Sequence, residues 1–241
     1  MGTRSKWING ALCFYDTYAQ RLIDAWGNNV HKFIDDFVRM PVDDTTGDPT
    51  EYTVTVVEAG TGDSTVTLKD DAQTGWLRIN AAANEDDGAQ IVLKGESWKL
   101  SSGDYIYFNT RFLIDEATQS DFLIGLVIGG NTTLLGGMTD GIYFRCVDGS
   151  TDLNFVTEKN STETATKAAT LAAATTYYLS FVCDGTGTVY AYCNSTLVAT
   201  HTTNIPDDEA LTVGIAYLNG AGTMQNKGLE VDYVKVFGIM N

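Results

Sequence analysis

A chain of 241 residues that is 44% hydrophobic and 11% aromatic can bury a substantial core, as one large all-β domain or two small ones. Its formal charge of −16, from 31 acidic against 15 basic residues, repels phosphate backbones and anionic lipid, so nucleic acid and membrane are excluded as partners of its bulk surface. Three prolines against 24 glycines suit many turns on a β framework and argue against a proline-rich linker.

The chain opens with an N-terminal arm, taken as residues 1–32. Within it Lys6-Trp7-Ile8 and Ala11-Leu12-Cys13-Phe14-Tyr15 flank Asn9-Gly10, a pair that favours a two-residue type I′ hairpin turn. Leu22, Ile23 and Trp26 then recur at helix-like spacing before Gly27-Asn28-Asn29, which predicts a short helix over 17–26. Trp7, Ile8, Phe14, Tyr15, Tyr18 and Trp26 are the candidate partner-interface residues. They serve either to pack the arm on the domain or to dock a partner, because large aromatics dominate interface energetics. No apolar run follows the charged start or approaches the ~20 residues that span a bilayer, so the chain is expected to fold in a cytoplasm.

Residues 33–241 read as one β domain. Phe33-Ile34-Asp35-Asp36-Phe37-Val38 is its first strand, followed by an acidic loop over 43–49. Alternating runs at 52–58, 65–69, 76–80 and 90–93 are separated by Gly, Asp and Asn turns. Residues 105–114 form the longest strand, with Ile106, Phe108, Phe112 and Ile114 on one face. The nearly all-apolar stretch 120–128 belongs in the middle of a sheet. A glycine-interrupted loop over 132–139 precedes strands at 141–147, 152–158 and within 162–174. The hairpin 175–200 turns at Asp184-Gly185-Thr186-Gly187, and strands at 211–218 and 229–237 close the chain. About a dozen short strands with no helix beyond the arm predict an all-β, two-sheet antiparallel sandwich.

The four cysteines, Cys13, Cys146, Cys183 and Cys193, form no CxxC pair. Cys183 and Cys193 sit on the two arms of one hairpin, where a disulfide is conceivable, but reduced buried thiols are the expectation. Nor does the inventory favour catalysis. Glycoside hydrolysis needs two carboxylates facing one cleft, which on a strand means alternating positions in the middle of the domain, whereas Glu230-Val231-Asp232 lies on the last strand and is followed by Tyr233, Val234 and Lys235 with no third carboxylate. His31 and His201 accompany no Gly-x-Ser-x-Gly elbow and are expected on the surface or in loops. Glu85-Asp86-Asp87 and Asp43-Asp44 lack the alternating oxygen-ligand spacing of a calcium loop, and no clustered His/Cys set suits zinc. The residues alone therefore predict no catalytic, cofactor-binding or metal-binding residue, and a protein that is not an enzyme.

The stretch Thr176-Tyr177-Tyr178-Leu179-Ser180-Phe181-Val182-Cys183-Asp184-Gly185, with Val189-Tyr190-Ala191-Tyr192 and Leu197-Val198, resembles the signature hairpin of concanavalin A-like (laminin G-like) jelly rolls. Leu229-Glu230-Val231-Asp232-Tyr233-Val234-Lys235-Val236 is similar to their last strand and Phe33-Ile34-Asp35-Asp36-Phe37 to their opening one, so the resemblance covers residues 33–240. A narrower likeness joins Ala117-Thr118-Gln119-Ser120-Asp121-Phe122, Thr139-Asp140-Gly141-Ile142-Tyr143-Phe144-Arg145 and Glu158-Lys159-Asn160-Ser161-Thr162-Glu163-Thr164 to tailed-bacteriophage virion proteins of this fold. The start Lys6-Trp7-Ile8-Asn9-Gly10 shares that likeness. It implies a non-enzymatic decoration or cement protein on the capsid exterior, made in the host cytoplasm. Such a protein would be a homo-oligomer whose partners are the major capsid protein and copies of itself. The alternative is a carbohydrate-binding, lectin-like module on a virion or secreted protein, with glycans bound on Tyr105, Tyr107, Tyr143, Tyr190 and Tyr192.

Overall fold

The computed structural model describes residues 2–16, 21–45, 47–60, 62–69, 74–185, 187–220 and 227–241. The strands β1 (Thr3–Ile8), β2 (Ala11–Asp16) and β3 (Leu22–Trp26) form a small N-terminal sheet in that order. After it come β4 (Val30–Asp35), β5 (Tyr52–Val57), β6 (Thr65–Leu68), β7 (Leu77–Asn80), β8 (Gly88–Leu93) and the short β9 (Trp98–Lys99). The long strands β10 (Tyr105–Ile114) and β11 (Ser120–Ile128) lead to β12 (Gly141–Cys146), β13 (Asp152–Lys159) and β14 (Thr162–Thr170). The chain ends through β15 (Tyr177–Asp184), β16 (Thr188–Cys193), β17 (Thr196–His201), β18 (Ala210–Asn219) and β19 (Gly228–Ile239). Between β11 and β12 the loop turns at Leu134–Gly137, where Leu135 is extended and Gly136 takes a positive φ of 81°.

Two antiparallel eight-stranded sheets make the sandwich predicted from alternation. The first runs β17-β16-β15-β10-β19-β7-β6, with β4 also paired to β19, and the second runs β14-β13-β12-β11-β18-β8-β5, with β9 on β18. Inward residues meet as rings: within the first sheet Phe108 stacks on Phe181 at 5.0 Å, and across the layers Phe112 meets Phe122 at 5.2 Å and Phe155 reaches Phe181 at 5.9 Å. All are buried, so the period-2 pattern of β10, β11, β13 and β15 is a core pattern.

Bulges change the phase where the sequence misleads. In β19 the register against β10 shifts between Arg111 and Phe112, which leaves Asp232 as the extra residue and lets Val231 and Val234, three apart, both face the core. A second shift, between Phe14 and Tyr15, skips Ile23 on β3. Leu22 and Ala25 are thereby both turned inward, a three-residue spacing that mimics a helix. The helix expected over 17–26 is thus corrected to a strand at Leu22–Trp26, while 17–20 lie outside the described residues.

The arm is docked. Ile8, Ala11, Cys13, Leu22 and Ala25 pack on Tyr107, Phe237 and Ile239 of the first sheet. The two-residue Asn9-Gly10 turn has positive φ at both positions (46° and 82°), as a type I′ turn requires. The Asn9 side chain donates to the Gly103 carbonyl at 2.7 Å, and Asn29 donates to the Met240 carbonyl at 2.6 Å. The boundary drawn at residue 32 falls inside β4, which pairs with β19. All four cysteines are free and buried. Cys183 faces Val189 and Cys193 faces Leu179 in the hairpin register, so those two thiols are not opposite each other.

Candidate functional site

The N-terminal sheet divides its large side chains between two faces. Trp7 lies directly opposite Leu12, and Leu12 opposite Trp26, so the three form one row across β1, β2 and β3. That row faces outward, with Trp7 70% and Trp26 63% exposed. Phe14 stands beside it on the same face, opposite Ser5 and Asp24. Ile8 and Tyr15 point the other way, into the junction with the first sheet, where the Tyr15 and Tyr107 hydroxyls hydrogen-bond at 2.9 Å. Tyr18 lies outside the described residues.

Trp26 is held in place by its neighbours. Its indole N–H donates to Asp24 at 3.0 Å, Lys32 donates to the same carboxylate at 2.6 Å, and the Lys32 ammonium sits 4.7 Å from the Trp26 ring centre. Partial burial pushes the Asp24 carboxyl up, but the hydrogen bonds from Lys32 and the Ala25 N–H, with the lysine charge, outweigh it and hold Asp24 below the usual carboxylate range. The clamp is therefore ionised at neutral pH.

The five tyrosines proposed as one platform are not brought together. Tyr105 and Tyr107 are covered by the N-terminal sheet, Tyr190 and Tyr192 are half-buried on the outer face of the first sheet, and Tyr143 is fully buried on the second. Tyr143 instead donates to Glu158 at 2.5 Å. Burial pushes the Glu158 carboxyl up, with the charge of Glu163 adding to it, against the Tyr143 hydrogen bond and the charge of Arg145. Glu163 is directly opposite Glu158 and is paired with Arg145 at 2.9 Å. Because its folded-state pKa is raised, Glu158 contributes stability below the ordinary glutamate value of about 4.3, and loses it as the pH rises through the folded value. Glu158→Gln is therefore expected to match the parent near pH 4 and to become progressively more stable than it above, as read from urea midpoints across pH.

The Glu230/Asp232 pair has another role. Glu230 is 3% exposed and accepts from Lys69 at 2.6 Å and from Arg78 Nη1 at 2.5 Å. Asp232 accepts from Thr74 at 2.9 Å and pairs with Arg111. A carboxylate so compensated is an anchor between β19 and β7. Glu230→Gln is expected to cost about 2 kcal/mol in urea unfolding, less than a fully buried pair, since Lys69 reaches water and Arg78 keeps Asp115.

His201, expected on the surface, is 3% exposed. Its two ring nitrogens hydrogen-bond Thr157 and Thr166 at 3.0 and 2.9 Å, joining β17 of one sheet to β13 and β14 of the other, and burial pushes its pKa down. Asp87, from the 85–87 acidic run, is fully buried and accepts from the Ala59 and Asn84 N–H groups at 2.7 and 2.8 Å, so it shapes a loop. Among the described residues no three His, Cys, Asp or Glu side chains converge as metal ligands. A polar cleft of about 660 Å³ between Ser101, Lys159, Asp184, Asn204 and Asp207 has no aromatic side chain in its described lining. The tryptophan row is thus the most exposed aromatic surface described. Its β1–β2 half was legible in the sequence, because a two-residue turn at Asn9-Gly10 fixes Trp7 opposite Leu12; its β3 half was hidden by the bulge at Ile23.

No protein-family model matches this chain, and no curated protein matches it in sequence. Solved structures do. Endo-1,3-beta-glucanase from Streptomyces sioyaensis aligns with 90% of this chain and 99% of its own, at a TM-score of 0.64 and 13% identity. Arcelin-5, a lectin-like defense protein from Phaseolus vulgaris, aligns over 88% and 100%, at 0.59 and 8%. The Emp46p carbohydrate recognition domain aligns over 84% and 94%, at 0.57 and 12%. The first likeness corrects the expectation that the chain is not an enzyme: a glucanase shares the whole fold, so a missing strand motif is no ground for excluding glycosidase chemistry. The chain is built on the concanavalin A-like jelly-roll fold, on which both glucan-cleaving and lectin-like proteins are made.

Proposed function

We propose that this chain binds carbohydrate and that the Trp7–Leu12–Trp26 row is its contact surface. The row itself carries the reading. Neighbouring strands lie about 4.8 Å apart, so two indoles separated by one strand are spaced by roughly 10 Å. That is the scale of alternate rings along an extended oligosaccharide, whose apolar C–H faces stack on aromatic rings. Trp26 is already oriented by Asp24 and Lys32, which lowers the ordering cost of binding and leaves polar groups at the rim for sugar hydroxyls. The charge of −16 favours a neutral glycan over a polyanionic one. The carbohydrate recognition domain and lectin-like protein that share the fold support the same class.

The finer reading places this glycan-binding sandwich on a phage particle, beside the major capsid protein and copies of itself. The likeness of segments 117–122, 139–145 and 158–164 to virion proteins supports it, and immunogold labelling of particles tests it. Binding itself is tested by titrating the full chain with neutral linear oligosaccharides of increasing length, read by tryptophan fluorescence and calorimetry. Affinity should rise until the ligand spans both indoles. No binding to any neutral glycan would remove the proposal.

A further inference from the structure

The outer strands of the two main sheets differ in length. The outer strands β17, β6, β4, β5 and β9 have six, four, six, six and two residues, whereas β14 has nine, Thr162–Thr170, with neither proline nor glycine. Among the described residues it pairs with β13 alone, and it is exposed or half-buried throughout. A long flat edge of this kind presents unpaired N–H and C=O groups to any strand of matching register.

The edge is also pre-ordered. On its inner face Thr164 bonds Thr203 at 2.8 Å and accepts from Asn204 at 2.9 Å, and Thr166 bonds His201 at 2.9 Å. Its outer face carries Glu163, Ala165 and Lys167, a sequence that is complementary to itself when run antiparallel. Centring the pairing on Ala165 sets Glu163 of each strand opposite Lys167 of the other, twice, with Thr164 opposite Thr166. Moving the centre by one residue either way sets Glu163 or Lys167 against an alanine instead. Within its own chain Glu163 is paired with Arg145 and Lys167 with Asp152, so the new contacts would extend two existing ion pairs into one alternating network.

We propose that two copies of this chain pair antiparallel along β14, about a twofold axis at Ala165, joining their second sheets into one continuous sheet. The occupant of the edge is a second copy because the charge register selects itself.

Sedimentation of the full chain from micromolar to near-millimolar concentration should show a monomer–dimer equilibrium. Ala165→Cys should form an intermolecular disulfide under mild oxidation, since opposed antiparallel residues have the Cα separation that a disulfide needs. Ala169→Cys, which this register sets opposite the partner's Ser161, should not. The native thiols are buried and do not compete. Glu163→Lys should weaken dimerisation roughly tenfold, and adding Lys167→Glu should restore it. That double variant leaves Arg145 and Asp152 facing like charges in their own chain, so a purely structural role for Glu163 and Lys167 predicts further loss instead. A chain that stays monomeric throughout, equal cross-linking at 165 and 169, or a dimer untouched by Glu163→Lys would each overturn the proposal.

Discussion

Trp26→Ala is expected to weaken glycan binding by about 30-fold, equivalent to about 2 kcal/mol, while leaving the fold intact. The indole is 63% exposed, so its removal buries nothing and opens no cavity. Substitutions at such sites stay within about 0.5 kcal/mol of the parent in stability. The Asp24–Lys32 pair survives without the ring, since it closes at 2.6 Å by itself. Trp7→Ala should behave alike, and the double variant should bind nothing measurable by calorimetry. Trp26→Phe should retain part of the affinity, because it keeps a ring to stack but loses the N–H that Asp24 holds. Unchanged affinity in the double variant, with binding intact in the parent, would move the site off this row without disturbing the glycan-binding reading.

Phe181→Ala is expected to give the largest loss of stability, about 3–5 kcal/mol, and a melting point lower by about 6–20 °C for a chain of this size. Phe181 lies at the middle of the sandwich, 1% exposed, stacked on Phe108 and within 6.5 Å ring-to-ring of Phe144 and Phe155 of the opposite layer. Removing its ring takes partners from both sheets at once, and close-packed β layers relax little into such a void. Differential scanning calorimetry checks it. Glycan affinity measured well below the transition should be unaltered, because the tryptophan row is the outward face of the N-terminal sheet, whose opposite face packs on the outside of the first sheet.

The carboxylates show how far local pattern carries. Glu158 and Glu163 flank Asn160-Ser161, and a two-residue turn there fixes them as opposite neighbours, so their pairing was readable. What burial does to Glu158 was not, because it depends on Tyr143 from another strand and on which face of the sheet is covered. Glu230 and Asp232 looked like a truncated catalytic motif. Their meaning came from Lys69, Arg78, Thr74 and Arg111, all distant in sequence, which make them structural anchors.

By itself the sequence determined that this is an all-β sandwich: Ile106, Phe108, Phe112 and Ile114 on β10 and the apolar run of β11 alternate or persist in the way only sheet interiors do. It also set the hairpin register at Asn9-Gly10, since a two-residue turn with positive φ at both positions leaves one pairing. Tertiary structure alone decided which aromatics of the first 32 residues are buried and which face water, that His201 closes the gap between the sheets, and that β19 lies between β10 and β7. The reason is physical. Alternation names two faces without saying which is covered, a bulge shifts every later residue to the other face, and long-range strand order depends on partners that local sequence does not specify.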